Sequence, residues 1–278
     1  MIDMNRSSPS GYADMKEARF YYEMAGAGPY LVLVHAGCAD RRMWDGQFSA
    51  FAQHYRVLRY DMRGYGNSPL TPRPFSNRDD LYHLLGFLGI QQAHFIACSM
   101  GSLGVTDFAL EHPDKVKSLV LVSPALSGYP YEGQPPQPVL DLITARNTSD
   151  LQRAAELQSQ IWADGFNRSS DQVNDQVHEP VRQMSLDALI NQIDAIRETS
   201  FLMEEPLQPP AMDRLEQLAI PTLTIAGDLD DDIVMAIADL LATRITARKA
   251  VIPGTAHLPN MEKPDEFNQI VLEFLRKI

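Results

Sequence analysis

Residues 93–104 read AHFIACSMGSLG, and Ser99 sits where a largely apolar run gives way to small residues. Residues 93–98 have the character of a strand buried in a parallel sheet. After Gly101 the sequence turns helix-like, with no proline until Pro113. A strand that turns straight into a helix strains the residue at the bend and pushes its side chain out over the sheet. Such a bend is what a serine nucleophile needs, a serine in an ordinary strand–helix turn being the alternative for Ser99. The helix N-terminus beneath it offers the Met100 N–H to an oxyanion as it forms. So close a crossing demands small residues two before and two after the serine, and Ala97 and Gly101 meet that demand.

This stretch resembles the nucleophile elbow of the α/β-hydrolase family, G-x-S-x-G, with Ala97 in place of the first glycine. The segment Asp61-Met62-Arg63-Gly64-Tyr65-Gly66-Asn67-Ser68 resembles the family's D-x-R-G-x-G-x-S turn. Asp61 is read there as structural, with Arg63 as a local charged partner. In His35-Ala36-Gly37 an alanine stands where the family usually has glycine, and the resemblance implies that the Gly37 N–H is the second oxyanion donor. His35 itself is read as a structural residue that bonds loop backbone.

The same resemblance supplies the acid and the base. Four acids crowd positions 228–232, and the family's G-x-x-D spacing from Gly227 selects Asp230. Asp228 is the chief rival, while Asp231 and Asp232 suit the start of a following helix. Residues 254–257 resemble the family's G-x-x-H loop and select His257. The chain order Ser99, Asp230, His257 matches that of α/β-hydrolases. It implies a general base in His257, held in its tautomer by Asp230.

The elements that position these residues follow from the apolar pattern. Strands are expected at 11–15, 19–24, 30–34, 57–60, 93–98, 117–122, 222–226 and 250–252, the first two as an antiparallel hairpin. Helices are expected at 41–55, 79–88, 101–112 and 233–241, with another opening near Pro264. This alternation is the doubly wound α/β pattern, with a mostly parallel sheet.

The pattern breaks at residues 128–138, GYPYEGQPPQP, which reads as a linker. Beyond it come helical stretches at 140–146, 151–162, 171–178 and 185–197 and no strand until 222. Core segments 1–127 and 219–278 are therefore expected to flank a helical insertion, 128–218, after the sixth strand. It resembles the cap that many α/β-hydrolases carry there, with Trp162, Phe166, Met184, Phe201 and Met203 as expected substrate-pocket residues.

Composition narrows the function classes. A formal charge of −12 over 278 residues argues against nucleic acid or an anionic membrane as partner. Apolar runs are too short to cross a bilayer, residues 1–10 are polar and read as loose, and no secretory signal is visible at the N-terminus. Two cysteines make no disulfide framework, and a cytoplasmic protein is expected. Cys38 and Cys98 flank the oxyanion loop and the nucleophile. They are read as small buried residues, the alternative being an oxidisable pair.

The seven histidines show no metal-ligand spacing, and no cofactor is expected. The expected activity is hydrolysis of a small carboxylic ester or lactone; the segment HLPNMEKPDEFN resembles lactonase-like and small-esterase members. The alternatives are carbon–carbon bond hydrolysis beside a ketone, perhydrolysis, and a ligand-binding or signalling protein on a hydrolase scaffold.

Overall fold

A computed structural model describes residues 10–15, 18–130, 133–166, 168, 172, 174–199 and 204–278. The strands are β1 (Ser10–Asp14), β2 (Arg19–Ala25), β3 (Tyr30–Val34), β4 (Arg56–Tyr60), β5 (Ala93–Cys98), β6 (Val116–Val122), β7 (Thr222–Gly227) and β8 (Arg248–Ile252). They form one eight-stranded sheet in the order β1-β2-β4-β3-β5-β6-β7-β8. β1 and β2 form an antiparallel hairpin, β2 pairs antiparallel with β4, and the other neighbours are parallel.

All six residues of β5 are buried, because both faces of the sheet are covered. Successive side chains serve opposite faces. Phe95, Ala97, Leu119 and Leu121 enter one core with Phe108 and Leu84. Ile96, Cys98, Val120 and Val122 enter the other with Trp44 and Phe267. The sheet's carboxyl edge, where such folds bind ligands, thus rests on two full cores.

The helices are α1 (Asp45–Phe51), α2 (Asn77–Phe87), α3 (Met100–Glu111), α4 (Gln137–Asn147), α5 (Leu151–Ser159), α6 (Asp175–Thr199), α7 (Asp232–Arg244), α8 (Pro259–Glu262) and α9 (Pro264–Leu275). Between β6 and β7 stand α4, α5 and α6, with no strand among the described residues.

Three helices differ from expectation. The single helix expected over 41–55 is a 3-10 turn, Arg41–Trp44, followed by the short α1. Asp40 caps that turn by accepting from the Arg42 N–H, and the tighter pitch buries both Met43 and Trp44. The helices expected at 171–178 and 185–197 are one 25-residue helix, α6, running through Pro180. Proline cannot donate to the carbonyl of residue 176, but Pro180 and Gln176 are both exposed, so water can serve that carbonyl. The helix expected at 151–162 ends at Ser159 and continues as a π-helical turn, Gln160–Asp164.

Gly101 shows why the elbow must be narrow. A Cβ there would lie 2.5 Å from the His35 carbonyl oxygen and 2.9 Å from that of Val34. Both obstacles are backbone of the neighbouring strand's end, so neither gives way easily. Gly101→Ala is expected to lower unfolding stability by about 2 kcal/mol, read as an earlier urea midpoint at unchanged slope.

Candidate active site

Ser99 occupies the bend between β5 and α3 with φ 53° and ψ −117°, the left-handed side of backbone space that non-glycine residues avoid. Its surroundings hold it there. The Ser99 N–H donates to the Val122 carbonyl at 2.9 Å, and Ser102 Oγ donates to the Ser99 carbonyl at 2.6 Å. Strain of this kind persists only where neighbours over-determine the backbone.

Gly37 faces the same bend. A Cβ at Gly37 would lie 3.3 Å from Met100 Sδ and 3.5 Å from Met100 Cβ, so the β3 loop and the start of α3 are in contact. His35 fixes the loop from below. Its Nδ1–H donates to the Ala36 carbonyl at 2.8 Å, and its Nε2 accepts the Met62 N–H at 2.9 Å. Burial pushes its pKa down, and both ring nitrogens are spent on backbone.

Asp61 and Arg63 do not pair with each other, contrary to expectation. The Asp61 carboxylate is tucked against Gly66, where it accepts from Arg41 Nη1 at 2.7 Å and from the Asn67 N–H at 2.8 Å. Arg63 turns instead to Asp80, with its Nε 2.9 Å from Oδ2.

Asp230 and His257 meet at the carboxyl ends of β7 and β8. His257 Nδ1 lies 2.8 Å from Asp230 Oδ1 and 3.1 Å from Oδ2, with side-chain exposures of 4% and 2%. The Asp231 N–H donates to Asp230 Oδ1 at 2.8 Å. Burial works to raise the Asp230 pKa, but the His257 charge and the hydrogen bonds from His257, Ser123 and the Asp231 amide outweigh it and hold the carboxyl below its ordinary range. With Nδ1 committed to the carboxylate, the lone pair falls on Nε2. That nitrogen is buried and makes no hydrogen bond, to Ser99 or to any other described residue. The three residues thus converge on one edge of the sheet, with the Ser99–His257 hydrogen bond unmade. Such bonds often tighten only when a substrate is bound.

Asp228 lies apart from the imidazole and accepts from the Gly254 N–H. Asp231 caps α7 by accepting from the Ile233 N–H.

The helices between β6 and β7 reach over this edge. The Trp162 ring sits 4.7 Å from that of His257 between centroids, and Phe166 meets Trp162 edge-on at 6.4 Å. Trp162 owes its place to the π-helical turn, which shifts the register by one residue within α5's continuation. Met184 is buried with Met43 and Trp44 in the core beneath. Phe201 and Met203 lie outside the described residues, as do residues 1–9.

Residues 29–264 match a family model described as the alpha/beta hydrolase fold. The chain belongs to the α/β-hydrolase family. It is 27% identical to the pimeloyl-[acyl-carrier protein] methyl ester esterase of Aeromonas hydrophila, over 91% of this chain and 98% of that protein. It is 23% identical to 3-oxoadipate enol-lactonase 1 of Acinetobacter baylyi, over 90% of each chain. Among solved structures, a hydrolase from Pseudomonas aeruginosa superposes with a TM-score of 0.76 at 28% identity, covering 97% of this chain and 99% of its own. No helix among the described residues is long and apolar enough to cross a membrane, and no group of three or more His, Cys, Asp or Glu among them could hold a metal ion.

Two features of this α/β-hydrolase escape sequence reasoning. Arg168, from the stretch after the π-helical turn, pairs with Glu262 at 2.6 Å and donates to the Gly254 carbonyl at 2.9 Å. Glu262 in turn accepts the Ala256 N–H at 2.7 Å, so the loop bearing His257 is pinned from above. The second feature is Ser123 at the end of β6, whose hydroxyl donates to the His257 carbonyl at 2.9 Å. The only sequence trace of either is a serine before a proline and a glutamate five residues after His257.

Cys38 and Cys98 are free and buried. Burial pushes the Cys38 thiol up to about 12 and the Cys98 thiol well above its ordinary value. Cys98 Sγ–H donates to the His257 carbonyl at 3.8 Å. Thiolate, the reactive form, is scarce at both positions. With an aromatic disulfide reagent at pH 8, neither thiol is expected to react in the folded protein, the rate being about a thousandfold below that of free cysteine. Both react once urea unfolds the chain. Rapid labelling of the native protein contradicts this.

Proposed function

We propose that the protein is a serine hydrolase that cleaves a small carboxylic ester or lactone through an acyl-enzyme on Ser99. The observation that carries the reading is the buried Asp230–His257 pair, its imidazole Nε2 unpartnered at the same sheet edge as the strained Ser99. His257 takes the Ser99 hydroxyl proton through Nε2 as Oγ attacks the acyl carbon. Asp230 keeps Nδ1 protonated and balances the imidazolium that forms. The Gly37 and Met100 amides receive the oxyanion, each worth about 3 kcal/mol of barrier in sites of this kind. The imidazolium then protonates the leaving alcohol or enol. A water molecule, deprotonated by His257, releases the acid and restores Ser99. These steps call for neither metal nor cofactor.

In this reading residues 128–218 act as a cap over a core formed by 1–127 and 219–278. Trp162 and Phe166 wall the acyl or alcohol side of the pocket, and Met184 backs it. The methyl ester esterase and the enol-lactonase among the relatives support an ester or lactone bond as the target.

The test is pre-steady-state turnover of p-nitrophenyl butyrate, with mass analysis of the quenched enzyme. A burst of one p-nitrophenol per chain and a butyryl adduct on the peptide carrying Ser99 support the reading. Turnover with the adduct elsewhere, or with no adduct, overturns it. Cleavage of a vinylogous β-diketone with esters untouched favours carbon–carbon hydrolysis.

A further inference from the structure

We propose that Ser123 is a positioning residue for the Asp230–His257 pair: its hydroxyl holds the His257 peptide while its backbone is tied to the strand that leads to Asp230. The inference rests on the acyl-transfer reading of that pair. Ser123 directly follows β6, is fully buried, and has φ 43°. Its N–H donates to the Ile225 carbonyl of β7 at 2.7 Å, which locks its backbone to the strand that leads to Asp230. Its Oγ donates to the His257 backbone carbonyl at 2.9 Å. One residue therefore ties the strand that leads to Asp230 to the peptide of His257, and Asp230 and His257 are the two residues whose separation matters most.

The geometry asks for serine in particular. A left-handed backbone disfavours branched side chains, and the position is fully buried, where a hydroxyl needs a partner. The hydroxyl carries a single proton. When that proton points to the His257 carbonyl, the imidazole is held in place through its own peptide, with Cys98 Sγ–H as a weaker second donor. Loss of the hydroxyl therefore frees the His257 peptide and loosens the pair.

The experiment compares wild type, Ser123→Ala, Ser123→Gly and the control Ser118→Ala. Each is assayed for its rate of covalent labelling over a range of fluorophosphonate concentrations and for its thermal midpoint. Ser123→Gly removes the hydroxyl while easing the left-handed backbone, so its fold is expected to survive. Ser118, a buried serine hydrogen-bonded to His94, tests loss of a buried hydroxyl far from the pair.

Both Ser123 variants are expected to label about 10- to 100-fold more slowly, the loss falling on the maximal labelling rate and not on the reagent concentration that half-saturates it. Ser118→Ala should keep the wild-type rate even if its midpoint falls. A wild-type maximal rate in Ser123→Gly overturns the inference. Labelling that persists in Ser99→Ala defeats the acyl-transfer reading instead.

Discussion

Ser99→Ala is expected to lower kcat/KM for p-nitrophenyl esters by about ten-thousandfold or more, with the unfolding midpoint little changed. The expectation is large because a triad works as one unit. Once the nucleophile is gone, His257 has no hydroxyl to activate, and the oxyanion amides stabilise a tetrahedral species that forms only from free water. Stability should hold because alanine keeps the Cβ that the bend already accommodates at φ 53°, and because the bonds that fix Ser99 use its backbone N–H and carbonyl. Equal losses of kcat and kcat/KM, with KM steady, place the missing interaction in the transition state. Activity preserved in the variant removes Ser99 from the mechanism.

The elbow was legible from sequence because its demands are local. A strand must cross a helix within a few residues, so Ala97 and Gly101 declare the crossing, and Ser99 is the residue at its bend. Resemblance to the family's G-x-x-D and G-x-x-H loops pointed to Asp230 and His257, and the structure brings those two side chains within hydrogen-bond distance. What sequence could not show depends on meetings between distant segments. Arg63 lies beside Asp61 in the chain yet pairs with Asp80, because the Gly64–Asn67 turn closes over Asp61 and delivers it to Arg41. Ser123 reads as a strand end until β6, β7 and β8 are laid side by side. Pro180 reads as a break, and only its exposure explains why α6 continues. The π-helical turn is a shift of one residue, too small to disturb the periodicity of 151–162, yet it places Trp162 against His257.

Asp230→Asn and Asp228→Asn separate the acid from its rival. Asp230→Asn is expected to lower kcat about ten-thousandfold at neutral pH. The asparagine amide can present N–H to Nδ1, which favours the tautomer with its proton on Nε2, and that nitrogen then cannot accept from Ser99. The imidazolium also loses its counter-charge in a site only a few per cent exposed. Because Asp230 is held below the ordinary carboxylate range, it stays ionised as pH falls, and the loss in the variant should persist across the weakly acidic range. Asp228→Asn should remain within about threefold of wild type, because its amide oxygen can still accept from the Gly254 N–H and the residue touches neither ring nitrogen of His257. Asp231→Ala completes the set: it removes the α7 cap at about 1 kcal/mol of stability and leaves turnover intact. If the large loss falls on Asp228 instead, the acid has been misassigned and the observed His257–Asp230 pair is not the working one.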